Sequence, residues 1–313
     1  MIFARDTVIT KKKSINRRPG FVVHPLVLAL LSLGVFESSI AQETGLPLDR
    51  DTTSSSILTR KSLITTGIIA HTAFTFALEY KWWWQGNYHP FGFVNEHFWH
   101  DYSLGVDKMG HFYTHHVYFH ALYQLLDWGG YDESTVWWGS VTIPALYGLS
   151  LEIGDGYSSY LFSPEDLIAD FLGIGYGVLQ VKYPYLNNFK VKWSYYPSSH
   201  LNTFNHPFSE DYDGHIYWVS ANVHDLLPAS LQGYWPRFLN IAVGYGGKNI
   251  SNDDSGPLRR KLAIALDYNL MTIPLNGETW DRVKYIIDLF HLPAPGVKMI
   301  QDEHPQVKPL LLN

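Results

Sequence analysis

The 313-residue sequence contains no cysteine. That absence excludes a disulfide scaffold, a thiolate zinc or iron–sulfur site, a cysteine nucleophile and an acylated cysteine. Charge is also scarce, at 17% of residues, and the formal net charge is −6. An acidic balance does not suit phosphate-backbone binding, so nucleic acid is excluded as the main partner. Familiar catalytic signatures are missing too. There is no Gly-x-Ser-x-Gly elbow, no Gly-x-x-x-x-Gly-Lys loop and no His-Glu-x-x-His, and no nucleotide or organic cofactor is implied. Gly173-Ile-Gly-Tyr-Gly177 lies inside an apolar helix rather than after a strand, so its glycines read as close helix packing. What is abundant is apolar surface: 46% of residues are hydrophobic and 16% aromatic, which argues against bulk disorder.

The most apolar N-terminal run, Phe21 to Phe36, contains His24 and Pro25 and falls short of the roughly 20 residues of a membrane span. Arg5, Lys11, Lys12, Lys13, Arg17 and Arg18 precede it, and Ser39 and Ala41 stand just before Gln42. Residues 1–41 therefore read as an export signal peptide cleaved after Ala41, with an uncleaved anchor as the alternative. Cleavage would leave a more acidic chain, suited to a Gram-negative periplasm.

Residues 42–60 are polar and Ser/Thr-rich and read as a flexible linker. Four helices are expected next, over Ser62–Leu78, Gly105–Leu126, Ser134–Ile153 and Ser163–Val181. Asp132-Glu-Ser134 and Ser163-Pro-Glu-Asp166 supply start signals, and Pro144 should kink the third. Helices this apolar are either buried or in contact with lipid. Beyond Pro184, residues 215–221, 238–244 and 261–270 alternate in period two, with Leu262, Ile264, Leu266, Tyr268 and Leu270 on one face. Asn252–Gly256 is a turn signal, and a short helix is expected over Glu278–Phe290. The expected fold is mainly α: a compact apolar bundle of about four helices (residues 61–183), then a small β-rich region with a short helix (residues 184–313).

The polar residues of the three later helices are paired. Asp107, His111 and His115 recur every fourth residue, Glu152 and Asp155 are three apart, and Asp166 and Asp170 are four apart, so each set shares a helical face. Facing helices that present carboxylate and imidazole pairs can build a metal site, with oxygen-rich ligands favouring Mg, Ca or Mn and imidazole admitting Zn or Fe. One divalent ion is thus a candidate ligand of Asp107, His111, His115, Glu152, Asp155, Asp166 and Asp170. The alternatives are hydrogen-bonded bridging between helices and metal-free catalysis. His116 and His120 lie off this face and read as packing residues.

The series Asp107-Lys-Met-Gly-His111-Phe112, Glu152-Ile-Gly-Asp155 and Ser163-Pro-Glu-Asp166-Leu-Ile-Ala-Asp170-Phe-Leu-Gly173 resembles the YfiM-like family of periplasmic (lipo)proteins of unknown function, over about residues 60–182. More distantly it is similar to VanZ-like membrane proteins. The resemblance implies an exported, membrane-associated helical module and no established activity. Two departures stand out: there is no cysteine to acylate, and Asp170 occupies a position where the family pattern has Asn. Three functions follow as expectations. The first is a periplasmic, membrane-associated protein, on the outer membrane in preference to the inner, whose acid–histidine cluster is structural or holds a divalent cation. The second is a metal-dependent hydrolase of an envelope lipid or glycan. The third is a subunit that docks another envelope protein. Membrane lipid or an envelope protein is the expected partner.

Overall fold

A computed structural model describes residues 50–198, 208–250 and 256–313. The signal segment and the Asn252–Gly256 turn lie wholly or mainly outside these residues.

Helix α1 (Arg50–Glu79) continues into a π-helical turn, Tyr80–Trp84. It starts well before the expected Ser62, so part of the Ser/Thr-rich stretch is helical. Helices α2 (Val106–Trp128), α3 (Glu133–Gly156) and α4 (Pro164–Lys182) follow close to expectation. Their starts are set by local chemistry. The Asp132 carboxylate accepts from Thr135 N at 3.0 Å, and Ser163 Oγ accepts from Asp166 N at 3.2 Å with Pro164 next in line.

The chain then forms β1 (Phe189–Tyr195), β2 (His215–Ala221), the short helices α5 (Val223–Leu226) and α6 (Ala229–Gln232), β3 (Leu239–Lys248), β4 (Arg259–Tyr268), α7 (Glu278–Ile287), β5 (Ala294–Ile300) and β6 (Gln306–Leu311). All six strands join one antiparallel sheet in sequence order. The expectation of a mainly α fold of four helices is therefore corrected. The described residues hold seven α-helices and a six-stranded sheet, a mixed α/β fold with about 52% helix and 21% strand. Pro295 and Gly296 hide β5 from a pattern search and Pro309 hides β6, whereas β1 alternates Phe189, Val191, Trp193 and Tyr195 with Lys190, Lys192 and Ser194, a period-two signal that was readable and was missed.

The sheet curls. Leu311 of β6 joins Ile216 and Trp218 of β2 in one buried cluster, and Ser194 Oγ on β1 donates to the Leu312 carbonyl at 2.5 Å. A flat sheet with strands about 4.8 Å apart could not bring these residues together. Its polarity is inverted: on β4, Lys261, Ala263, Ala265 and Asp267 are buried while Leu262 and Ile264 are exposed. Helix α2 is the hinge of the architecture. It packs against α3 and α4 on one side and against β1, β2, β3 and α7 on the other. At Gly173 of α4, a Cβ would lie 2.1 Å from the Phe112 carbonyl, so only glycine permits this approach of the two backbones.

Candidate acid–histidine centre

The N-terminal half of α2 and the facing parts of α3 and α4 carry the centre, and the loop before α2 closes it. Asp101 organises that loop: Oδ1 accepts from Ser103 N (3.2 Å) and Gly105 N (2.6 Å), and Oδ2 from Ser103 Oγ (2.8 Å). The left-handed Gly105 (φ 84°) then starts α2.

Lys108 is buried at the middle. Its ammonium lies 2.7 Å from Asp166, 3.2 Å from Asp107 and 3.6 Å from Asp101, and it also donates to Glu96. Burial works to lower its pKa, but Asp107, Asp166 and Glu96 outweigh that and hold it above the ordinary lysine value. The carboxylates meet the opposite pressure. Burial pushes Glu96 up to about 7 although Lys108 opposes it, and it raises Asp101 and Asp166 as well.

His111 bridges the layers. Its Nδ1 is 2.9 Å from Asp170 Oδ1 and its Nε2 is 3.9 Å from Asp166 Oδ1. Burial opposes protonation here, yet Asp166 and Asp170 raise its pKa well above the usual histidine value. His115 Nδ1 reaches Asp170 Oδ1 at 2.6 Å and the His111 carbonyl at 3.1 Å. Asp170 is fully buried; burial alone would raise its pKa, and His111 and His115 lower it below the carboxylate norm. Its other oxygen, Oδ2, and His115 Nε2 have no hydrogen-bond partner. Both lie against Gly148, where a Cβ would sit 2.5 and 2.7 Å from them. Glu152 is also buried. Its Oε2 accepts from Ser163 N at 2.9 Å, its Oε1 has no partner, and burial lifts its pKa to about 8.

Of the residues singled out from sequence, Asp107, His111 and Asp166 offer donor atoms that all lie within 4.8 Å of one another. His115 and Asp170 sit behind them as the pair that orients His111, and Glu152 lies beside them. Asp155 accepts from Trp84 Nε1 at 2.8 Å, and its charge adds to the upward pressure on the Glu152 pKa. His116 and His120 pack edge to face away from the centre, and His120 bonds Gln180 (3.0 Å) and Tyr285 (2.9 Å).

Sequence reasoning missed four contributors. Glu96 and Asp101 lie in an irregular loop, and Lys108 reads as a neighbour of Asp107 rather than a hub. Tyr212 comes from the C-terminal half and donates to Asp107 Oδ1 at 2.6 Å. Asp-x-x-x-x-x-Asp-Lys (residues 101–108) was the one available signal for Asp101.

Residues 95–182 match the model of a family described as "Predicted periplasmic lipoprotein (DUF2279)". The match spans Glu96, Asp101 and all three helices of the centre, but not Tyr212. Neither a curated protein nor a solved structure matches the chain. The family description supports an exported, periplasmic location and an envelope protein of unknown activity.

Proposed function

We propose that this is an envelope protein of the periplasmic face of the outer membrane, with membrane lipid as its partner, whose acid–histidine centre binds one divalent cation on Asp107, His111 and Asp166. The YfiM-like and VanZ-like resemblances belong to the same reading. The observation that carries it is the convergence of those three donor sets within 4.8 Å. The chemistry of the surroundings fits. Asp170 takes the Nδ1 side of His111, which leaves Nε2 for a metal, the usual role of a carboxylate behind a metal-bound histidine. The centre sets six carboxyl groups, Glu96, Asp101, Asp107, Glu152, Asp166 and Asp170, against three basic side chains, Lys108, His111 and His115. Buried carboxylates in excess must be protonated or neutralised by an ion.

The test is the divalent-metal content of the full chain, extracted in mild detergent without chelator, beside an Asp107→Ala/His111→Ala double variant. A near-stoichiometric ion, lost in the variant, is expected. Metal-free wild type that gains none on titration with Zn, Mn, Mg or Ca, together with a much lower melting temperature in the variant, would make the centre a structural bridge.

A second reading, metal-dependent hydrolysis of an envelope lipid or glycan, is favoured by one observation. Glu152 keeps an unbonded carboxylate oxygen close enough to His111 and Asp166 to feel their charges; a bound cation would favour its ionised form, in which it could accept a proton from metal-bound water. Glu152→Gln that folds and binds metal but loses turnover on such substrates would support it.

A further inference from the structure

A separate feature concerns the outer surface of α3 and α4. These helices turn their largest apolar side chains outward: Trp138 is 62% exposed, Leu146 59%, Leu172 56% and Phe171 47%. Apart from Val136, Pro144 and Ile174, their buried faces are small or polar, with Ser140, Gly148 and Glu152 on α3 and Asp170, Gly177 and Gln180 on α4. A surface helix in water shows the reverse arrangement. Small and polar residues inside with bulky apolar ones outside is the arrangement of helices whose surroundings are hydrocarbon. No charged residue occurs between Glu133 and Glu152, or between Asp170 and Lys182, and Glu152 and Asp170 themselves face inward.

We infer that this α3–α4 face lies against the acyl chains of a bilayer leaflet. The inference deepens the membrane-associated part of the proposed function and does not depend on the cation. Two observations favour lipid over a protein partner. Charge-free stretches cover residues 134–151 of α3 and 171–181 of α4, whereas a protein interface has a polar, charged rim and carries hydrogen bonds across it. Exposed aromatic residues stand at the ends, Trp138 near the start of α3, Tyr157 just past its end, and Tyr183 and Tyr185 beyond α4, as at a membrane–water boundary. Among the described residues no helix is long and apolar enough to cross a membrane, so the face rests in the leaflet along its length.

The absence of native cysteine permits a clean test. Leu146→Cys, Leu172→Cys and, as a control on the exposed side of α7, Asp281→Cys are each made in the full chain. Each is labelled with an environment-sensitive fluorophore and mixed with phosphatidylethanolamine/phosphatidylglycerol vesicles. The labels at 146 and 172 are expected to shift to the blue and to be quenched several-fold by brominated acyl chains, while the label at 281 remains aqueous. Vesicle flotation with the labels at 146 and 172 still aqueous would overturn this face as the seat of attachment while leaving membrane association standing. No flotation at all would overturn both. Protection of the same labels without vesicles, growing with protein concentration, would assign the face to a second copy of the chain instead.

Discussion

The helical layer and the sheet each bury a network of charges, and the two are finished differently. In the sheet, Lys192 Nζ lies 2.7 Å from Asp267 Oδ2 and 2.8 Å from Asp288 Oδ1. Lys190 takes the remaining oxygen of Asp288, and His291 Nδ1, at 3.0 Å, takes that of Asp267. Ser220 Oγ (2.6 Å) and Leu270 N (3.1 Å) add further donors. Two carboxylates face two lysines and every carboxylate oxygen has a partner. In the helical layer, Lys108 is shared among four carboxylates, and Asp170 Oδ2, Glu152 Oε1 and His115 Nε2 are left without hydrogen bonds. His291 Nε2 is left without a hydrogen bond, yet a buried network whose carboxylate oxygens are all partnered fixes a shape. One with unpartnered carboxylate oxygens leaves potential ligand atoms over, and that difference is what marks the helical layer as the candidate site.

The largest expected effect falls on the side whose carboxylate oxygens are all partnered. Lys192→Met leaves Asp267 and Asp288 buried without their shared ammonium and should cost about 3–5 kcal/mol in urea unfolding, with metal content unchanged. A loss below about 1 kcal/mol would show that the sheet network is looser than its geometry implies. Lys108→Met should be smaller and conditional. We expect a loss of about 2–3 kcal/mol without metal, partial recovery on adding a divalent ion, and roughly tenfold tighter ion binding, or about 1.4 kcal/mol, because the competing ammonium is gone. Recovery should be absent if the two networks are alike.

The smallest effect comes from a carboxyl with no basic partner. Glu79 is buried, accepts a hydrogen bond from the Tyr147 hydroxyl, and is raised by burial to about 7. Its protonated form is the one the fold prefers. Its contribution is therefore complete below the ordinary value of 4.5 and is lost as pH rises through about 7. Glu79→Gln should raise stability at pH 8.5 by on the order of 2 kcal/mol and leave it nearly unchanged at pH 4. Equal melting curves for variant and wild type across that range would show that Glu79 is not held in its neutral form.

The helical half was largely legible because its signals are local. Ser163-Pro164 and Asp132 mark helix starts, and four-residue spacing placed Asp107 with His111 and Asp166 with Asp170. Three residues on from Glu152, Asp155 accepts a hydrogen bond from Trp84 while its charge acts on Glu152, and the spacing gave no sign of the tryptophan. Part of the sheet was hidden because Pro295, Gly296 and Pro309 break the strand pattern of β5 and β6. β1 alternates in period two through Lys190 and Lys192, but nothing local shows that Lys192 and Ser194 face inward, because Asp288, the partner that permits it, is contributed nearly a hundred residues later just past α7. The alternation of β4 was readable, but not which face would be buried: its interior is small and ionic, so the leucine and isoleucine face is the outer one. Tyr212 left no trace in spacing, because it enters the centre across the boundary between the two layers.

The strand order has a kinetic consequence. Every strand pairs with its neighbour in sequence, so each new strand finds its template already formed and no crossover must be threaded. Nearest-neighbour pairing keeps contact order low within the sheet, which favours fast folding. A chain delivered unfolded across a membrane could assemble this sheet progressively, hairpin by hairpin. Lacking cysteine, it would also do so without waiting for any oxidant.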